Sequence, residues 1–213
     1  MTAERFVKFS KPVVFAACLV PLGLLVRKGI GGRLGANPIE VITHATGDWT
    51  LIFLCITLAI TPARRLLRLP WLVRYRRMTG LFAFFHATLH FLTYVWLDKF
   101  FDWHEIVKDV YKRPFITAGF TAFVLLVPLA ATSTAGMIRR LGGRRWQRLH
   151  RLIYVSATAG VIHYYWLVKA DVRVPLRYAA IVAILLGSRL AFYFAGRRRP
   201  DAPAKEHAET VAP

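Results

Sequence analysis

Long, charge-poor apolar stretches alternate along this chain with clusters of arginine, and no other feature limits its fold as much. A helix needs about 20 mostly apolar residues to cross the hydrocarbon core. Six segments approach that length: Pro12 to Val26, Thr46 to Thr61 ending against Pro62, Thr79 to Leu97, Phe115 to Ala135, Leu149 to Val168 and Leu176 to Ala195. Water does not reach the bilayer core to satisfy backbone polar groups, so each segment must be helical. The sequence therefore reads as an all-α membrane protein, a six-transmembrane-helix bundle whose short connections favour antiparallel neighbours. Thirty Lys+Arg against eleven Asp+Glu would suit a nucleic-acid binder, but 56% of the residues are hydrophobic and the bases lie between the spans. Membrane lipid is the partner this pattern implies, and no nucleic acid is expected.

Charge also orients the bundle. Residues 1–11, with the loops at 62–78 and 136–148 and the tail from Gly196, carry eighteen Lys/Arg against nine on the opposite side. Positive charge is retained inside, so both termini are expected in the cytoplasm. The basic lead-in of Arg5, Lys8 and Lys11 resembles a signal peptide, yet Arg27 and Lys28 follow the apolar run with no small-residue cleavage site. The first span is thus read as retained. This divides the chain into a cytoplasmic segment at 1–11, a six-helix domain at 12–195 and a disordered cytoplasmic tail at 196–213. Cys18 and Cys55 fall within apolar runs, where packing is the expected role. Gly142-Gly143 lacks the strand and spacing of a dinucleotide site, so chemistry with NAD(P)H belongs to another protein.

Histidines at depth are the chemical signal, because ionisable residues in spans are costly and usually functional. His90 lies eleven residues into the third span and His163 fourteen into the fifth, both in the outer half. Two neutral imidazoles facing each other from neighbouring helices form the axial pair of a b-type haem. His150 sits at the inner end of the fifth span, about 20 Å from His163 along a helix, where a second haem would stack. On a straight helix these two differ by roughly 140° in azimuth, so the helix must bend or the sites must differ in direction. The inner site has no evident second histidine: counting back from His90 reaches Arg76, and His86 is only one turn below His90. One haem and two haems both remain open, and for each histidine packing within a helix is the plainer alternative. Arg189 either meets a haem propionate or snorkels to the surface. A histidine-lined proton or metal transporter is the rival class, but it would want acids in the spans, and Asp48 is the sole candidate.

The runs Ala87-Thr88-Leu89-His90 with Tyr94, and Thr132-Ser133-Thr134 with Leu141-Gly142, Trp146, Leu149-His150 and Tyr154, carry a family resemblance. It extends from Leu34-Gly35-Ala36-Asn37-Pro38 through His44 and Gly47 to the end of the sixth span. The chain resembles the MsrQ (YedZ) family, haem-binding membrane subunits of the periplasmic protein-methionine-sulfoxide reductase within the ferric-reductase-like transmembrane group. The resemblance implies His90, His150 and His163 as haem ligands, FMN as a further cofactor, and a place in the bacterial inner membrane. It also implies electron delivery to a periplasmic molybdopterin methionine-sulfoxide reductase that repairs oxidised proteins. Related NADPH oxidases carry two histidines on the third helix; here Arg76 stands at the inner one, and His86 is extra. With no soluble redox domain, the donor must be quinol or a separate cytoplasmic flavin reductase. Nothing supplies a nucleophile or a carboxylate pair, so the chain is read as an electron-transfer subunit and no enzyme on its own. The outer stretch Asp98 to Pro114, with its acids and aromatics, reads either as a docking face or as an amphipathic segment in the lipid interface.

The charge count makes a direct forecast. Reporter fusions after Arg77 and after Arg145 should report cytoplasm and a fusion near Glu105 periplasm; the reverse pattern would invert the bundle.

Overall fold

The computed structural model describes residues 3–197, and among them all regular structure is helical. Apart from the last two residues of the final helix, the tail at 196–213 lies outside the described residues. The elements in chain order are α1 (Ala3–Ile30), α2 (Pro38–Leu66), a 3₁₀ turn (Pro70–Tyr75), α3 (Arg76–Leu92) with a π-helical continuation (Thr93–Asp98), and α4 (Trp103–Lys112). They are followed by α5 (Pro114–Ala131), α6 (Ala135–Leu141), α7 (Gly143–Leu149), α8 (Leu152–Leu167) and α9 (Arg173–Arg197).

Five stretches are long and apolar enough to cross a membrane: α1, α2, the run Pro70–Asp98, α5 and α9. The fifth expected span, α8, has 16 residues, about 24 Å of helix against a core of about 30 Å. Its expected start at Leu149 is wrong for a local reason. His150 and Arg151 form a turn between α7 and α8, in which Arg151 N–H donates to Arg148 O and Tyr154 N–H to Arg151 O. The helical path therefore breaks at His150, which removes the straight-helix assumption behind the azimuth conflict.

A second correction concerns α2. It starts two turns before Thr46, where the Asn37 side chain caps Glu40 N–H and Pro38 occupies the first turn. Nor does it end against Pro62. Proline has no N–H for the carbonyl four residues back, which here is Leu58, and the Arg189 side chain donates to that carbonyl instead at 2.8 Å. The helix runs on to Leu66 because its one broken rung is filled from α9.

Helix α2 packs along α3 and α5 along α8, the two pairs meet through α3 and α5, and α9 covers α2 and α8. Small residues permit the close approach: Ala83 of α3 and Ala157 of α8 are fully buried. Leu54, Leu58, Phe82, Leu126 and Ile153 fill the remaining core. Polar side chains inside are bonded across helices, Thr57 to Thr79 at 2.9 Å and Ser156 to the Ala122 carbonyl at 2.9 Å. Helices α1 and α9 expose Phe9, Val13, Val20, Ile184, Leu190 and Phe194, as lipid-facing surfaces do.

The end of the bundle where α2 begins, named outer after the expected orientation, is closed by α4, which presents Trp103, Val107 and Tyr111 away from the bundle while Ile106 and Asp109 face into it, Asp109 only 4% exposed. Phe100 and Phe101 reach it through left-handed backbone, φ 47° and 61°, costly for bulky residues. Asp109 accepts from Lys99 at 2.6 Å, Arg113 at 3.1 Å and Tyr94 at 3.1 Å. Burial alone would raise its pKa, but the hydrogen bonds from Lys99 and Tyr94 and the charges of Lys99 and Arg113 hold it below the usual carboxylate range.

Asp109→Ala should cost about 3–5 kcal/mol, seen as faster hydrogen exchange along α4 and an earlier unfolding midpoint in detergent. A depressed folded pKa means the carboxylate stabilises fully above its unfolded value, about pH 4. That contribution is lost as pH falls through the lower folded value, a loss the variant should not show.

Candidate functional site

A cavity of about 510 Å³ opens between α2, α3, α5 and α8 and reaches from the outer rim at Asn37, Glu40 and Arg113 down to Leu54 and Leu126. Its volume falls within the roughly 300–1,000 Å³ typical of cofactor sites. His90 and His163 line it, so the two histidines matched by depth in the sequence do meet. Their ring centres are 6.1 Å apart and their planes 75° apart. Two imidazoles that each bonded one metal at about 2 Å would have ring centres about 6 Å apart, a spacing that His90 and His163 match.

Backbone carbonyls set the tautomer of both rings. His90 Nδ1–H donates to Thr43 O of α2 at 2.9 Å, and His163 Nδ1–H donates to Phe115 O of α5 at 2.6 Å. Each Nε2 then keeps its lone pair for a metal, with ring orientation fixed from behind. Two glycines make these bonds possible. A Cβ on Gly47 would lie 3.1 Å from His90 Cε1, and one on Gly119 would lie 2.7 Å from His163 Nδ1. The sequence reading named Gly47 only within the resemblance and missed Gly119 and both carbonyls; every residue has a carbonyl, so spacing alone does not reveal which one binds. Phe91, Phe120 and Phe123 add apolar lining, with Phe91 stacked on Phe123 at 4.7 Å, a surface suited to a planar macrocycle.

His86 does not join this cavity. It is 2% exposed between α3 and α2, its Nδ1–H donating to Phe82 O at 3.0 Å and its ring 5.1 Å from that of Phe53. Its Nε2 is buried without a partner. His150 lies at the inner end, stacked on Trp146 at 3.9 Å, with Nδ1–H donating to Trp146 O and Nε2 likewise buried and unpartnered. Arg76 is in electrostatic reach of His150, Tyr154 and Arg189. Arg189 turns inward, donating to the Tyr154 hydroxyl and to Leu58 O, both at 2.8 Å.

His44 and Asp48 of α2 also line the cavity, as does Tyr164 of α8. Among the described residues no three His, Cys, Asp or Glu side chains gather as a metal site. Two imidazoles suit axial coordination of a metal whose other ligands come from a macrocycle, in contrast to a site of four protein ligands.

The family described as the ferric reductase like transmembrane component matches residues 46–161. The chain is 57% identical over 196 residues to a protein-methionine-sulfoxide reductase heme-binding subunit of Herminiimonas arsenicoxydans, covering 91% of this chain and 90% of that protein. Subunits of the same description from Ralstonia nicotianae and Rhodospirillum rubrum are 53% and 52% identical. The alignments cover 93% of both chains for the former, and 92% of this chain and 95% of its relative for the latter.

Gly119→Ala should push the His163 ring off Phe115 O and lose the ordered pairing with His90. The check is histidine ¹⁵N NMR of the purified protein, in which the His163 Nδ1–H resonance should shift or broaden while that of His150 stays in place.

Proposed function

The chain belongs to the MsrQ family of methionine-sulfoxide-reductase haem-binding subunits, within the ferric-reductase-like transmembrane components, and from that premise we propose that it carries electrons across the bacterial inner membrane on b-type haem. The donor is quinol or a cytoplasmic flavin reductase, and the acceptor is a periplasmic molybdopterin enzyme that reduces methionine sulfoxide in proteins. In this reading the bundle has six spans with both termini cytoplasmic, α8 and its lead-in turn completing the sixth, and FMN is a further cofactor.

The single observation that carries the proposal is the His90–His163 pair, 6.1 Å apart with each Nδ1–H held by a carbonyl of a neighbouring helix. His90 and His163 hold the outer haem, and His150 ligates an inner one, with Arg76 close by and His86 between the two levels. Bound haem supplies one-electron chemistry. The chain supplies the rest: the carbonyls of Thr43 and Phe115 aim the imidazoles, the phenylalanines exclude water, and the Asp109 network holds α4 over the outer mouth. Arg76 does not ligate iron, because a guanidinium stays protonated and offers no lone pair.

A reduced-minus-oxidised absorbance spectrum tests the proposal at once, and a colourless preparation would end it. His90→Ala and His163→Ala should each abolish the outer low-spin haem, whereas His150→Ala should change a separate component. Nearly perpendicular imidazole planes leave the two iron π-type orbitals close in energy. The outer haem should therefore give a strongly anisotropic low-spin electron paramagnetic resonance signal, absent from both outer variants.

A further inference from the structure

We propose that Arg76, Arg189 and Tyr154 form a binding site for an oxyanion, a carboxylate or phosphate group, at the inner end of the bundle beside His150. Four elements converge there: α2 brings Arg64 and the Leu58 carbonyl, α3 brings Arg76, α8 brings Tyr154 and α9 brings Arg189. Arg189 stacks over the Tyr154 ring at 5.0 Å, donates to the Tyr154 hydroxyl and to Leu58 O, and keeps its Nε buried with no partner. Arg76 lies in electrostatic reach of the same Tyr154 side chain and of the charges of Arg189 and Arg64. The Tyr154 oxygen thus accepts from the Arg189 guanidinium with Arg76 close by, and its own proton is left to donate to something else.

The cluster has donors and positive charge but no acid. Among the described residues no ion pair involves Arg64, Arg76 or Arg189, and Glu4, an acid of the N-terminal segment, is bound to Arg74 at 3.2 Å. Half-buried guanidiniums beside one another at a membrane boundary are costly unless an anion meets them, and a planar guanidinium fork matches a carboxylate or phosphate. His150 differs in kind. Its Nδ1–H is used by Trp146 O, so its buried Nε2 offers a lone pair, which suits a metal and repels an anion. The two halves of the site therefore ask for an oxyanion and a metal side by side. A haem offers both through its propionates and iron, and an anionic lipid offers the oxyanion alone.

This inference rests on the haem reading only for its carboxylate source. The test uses the full chain in mild detergent with Arg76→Gln and Tyr154→Phe; the second keeps the ring under Arg189 and preserves packing. Native mass spectrometry measures retention of phosphatidylglycerol against phosphatidylcholine, and a redox titration follows the haem component that His150→Ala removes. If a lipid phosphate occupies the site, phosphatidylglycerol is preferred and both variants weaken its retention at least tenfold. If a propionate occupies it, lipid retention is unchanged, and both variants lower the midpoint potential of the inner haem: Arg76→Gln removes a positive charge, and Tyr154→Phe removes a donor to the propionate, whose negative charge is then less offset, so each stabilises the reduced form less. Wild-type lipid retention together with wild-type potentials in both variants would overturn the proposal and leave the arginines as simple surface-seeking side chains. A protein without any haem would refute the haem-carrier function, and the lipid measurement alone would then decide whether the arginine site binds an oxyanion.

Discussion

Inside a bilayer a polar atom must find its partner within the protein, and this bundle is organised around the places where that demand is hardest to meet. Two imidazoles lie in an apolar cavity, and each is made tolerable by donating Nδ1–H to a carbonyl on a different helix, Thr43 of α2 and Phe115 of α5. These bonds tie α3 to α2 and α8 to α5, the helix pairs that pack along one another. Satisfying the histidines and assembling the bundle are thus one event. The Leu58 carbonyl that Pro62 cannot bond follows the same rule from the other end, since Arg189 fills it and ties α9 to α2.

The two ends of the bundle answer the demand differently. At the outer end acids and bases are mixed: Asp109 gathers Lys99, Arg113 and Tyr94, and Glu40, His44 and Asp48 line the mouth. Charge there is balanced by protein groups, so α4 closes over the cavity without help from a ligand. At the inner end arginines gather beside a phenol, and among the described residues no acid pairs with Arg76 or Arg189. Between the two levels the aromatic side chains of Phe53, Phe82 and Phe85 surround His86, a low-dielectric interior.

Much of the fold was legible in the sequence because the bilayer leaves few alternatives. Apolar runs between arginine clusters had to be helices, and equal depth from the membrane surface paired His90 with His163. Reading failed where one residue's behaviour depended on a distant partner. Pro62 looked like a stop because the arginine that rescues its rung lies 131 residues from Leu58. His150 was placed on a continuous helix because nothing local in Leu149 to Val168 announces the turn at His150 and Arg151.

The sequence by itself determined the helical class, the family and the level of each histidine, since hydrophobic length and residue spacing measure position along the membrane normal. Only the tertiary structure decided what lies around that axis. It showed which ring nitrogen is free, that Gly47 and Gly119 open the space the imidazoles occupy, that His86 stands outside the cavity, and that Arg76 and Arg189 share one tyrosine. The physical reason is that depth is additive along one chain, whereas azimuth and hydrogen-bond partnership are set jointly by helices far apart in sequence.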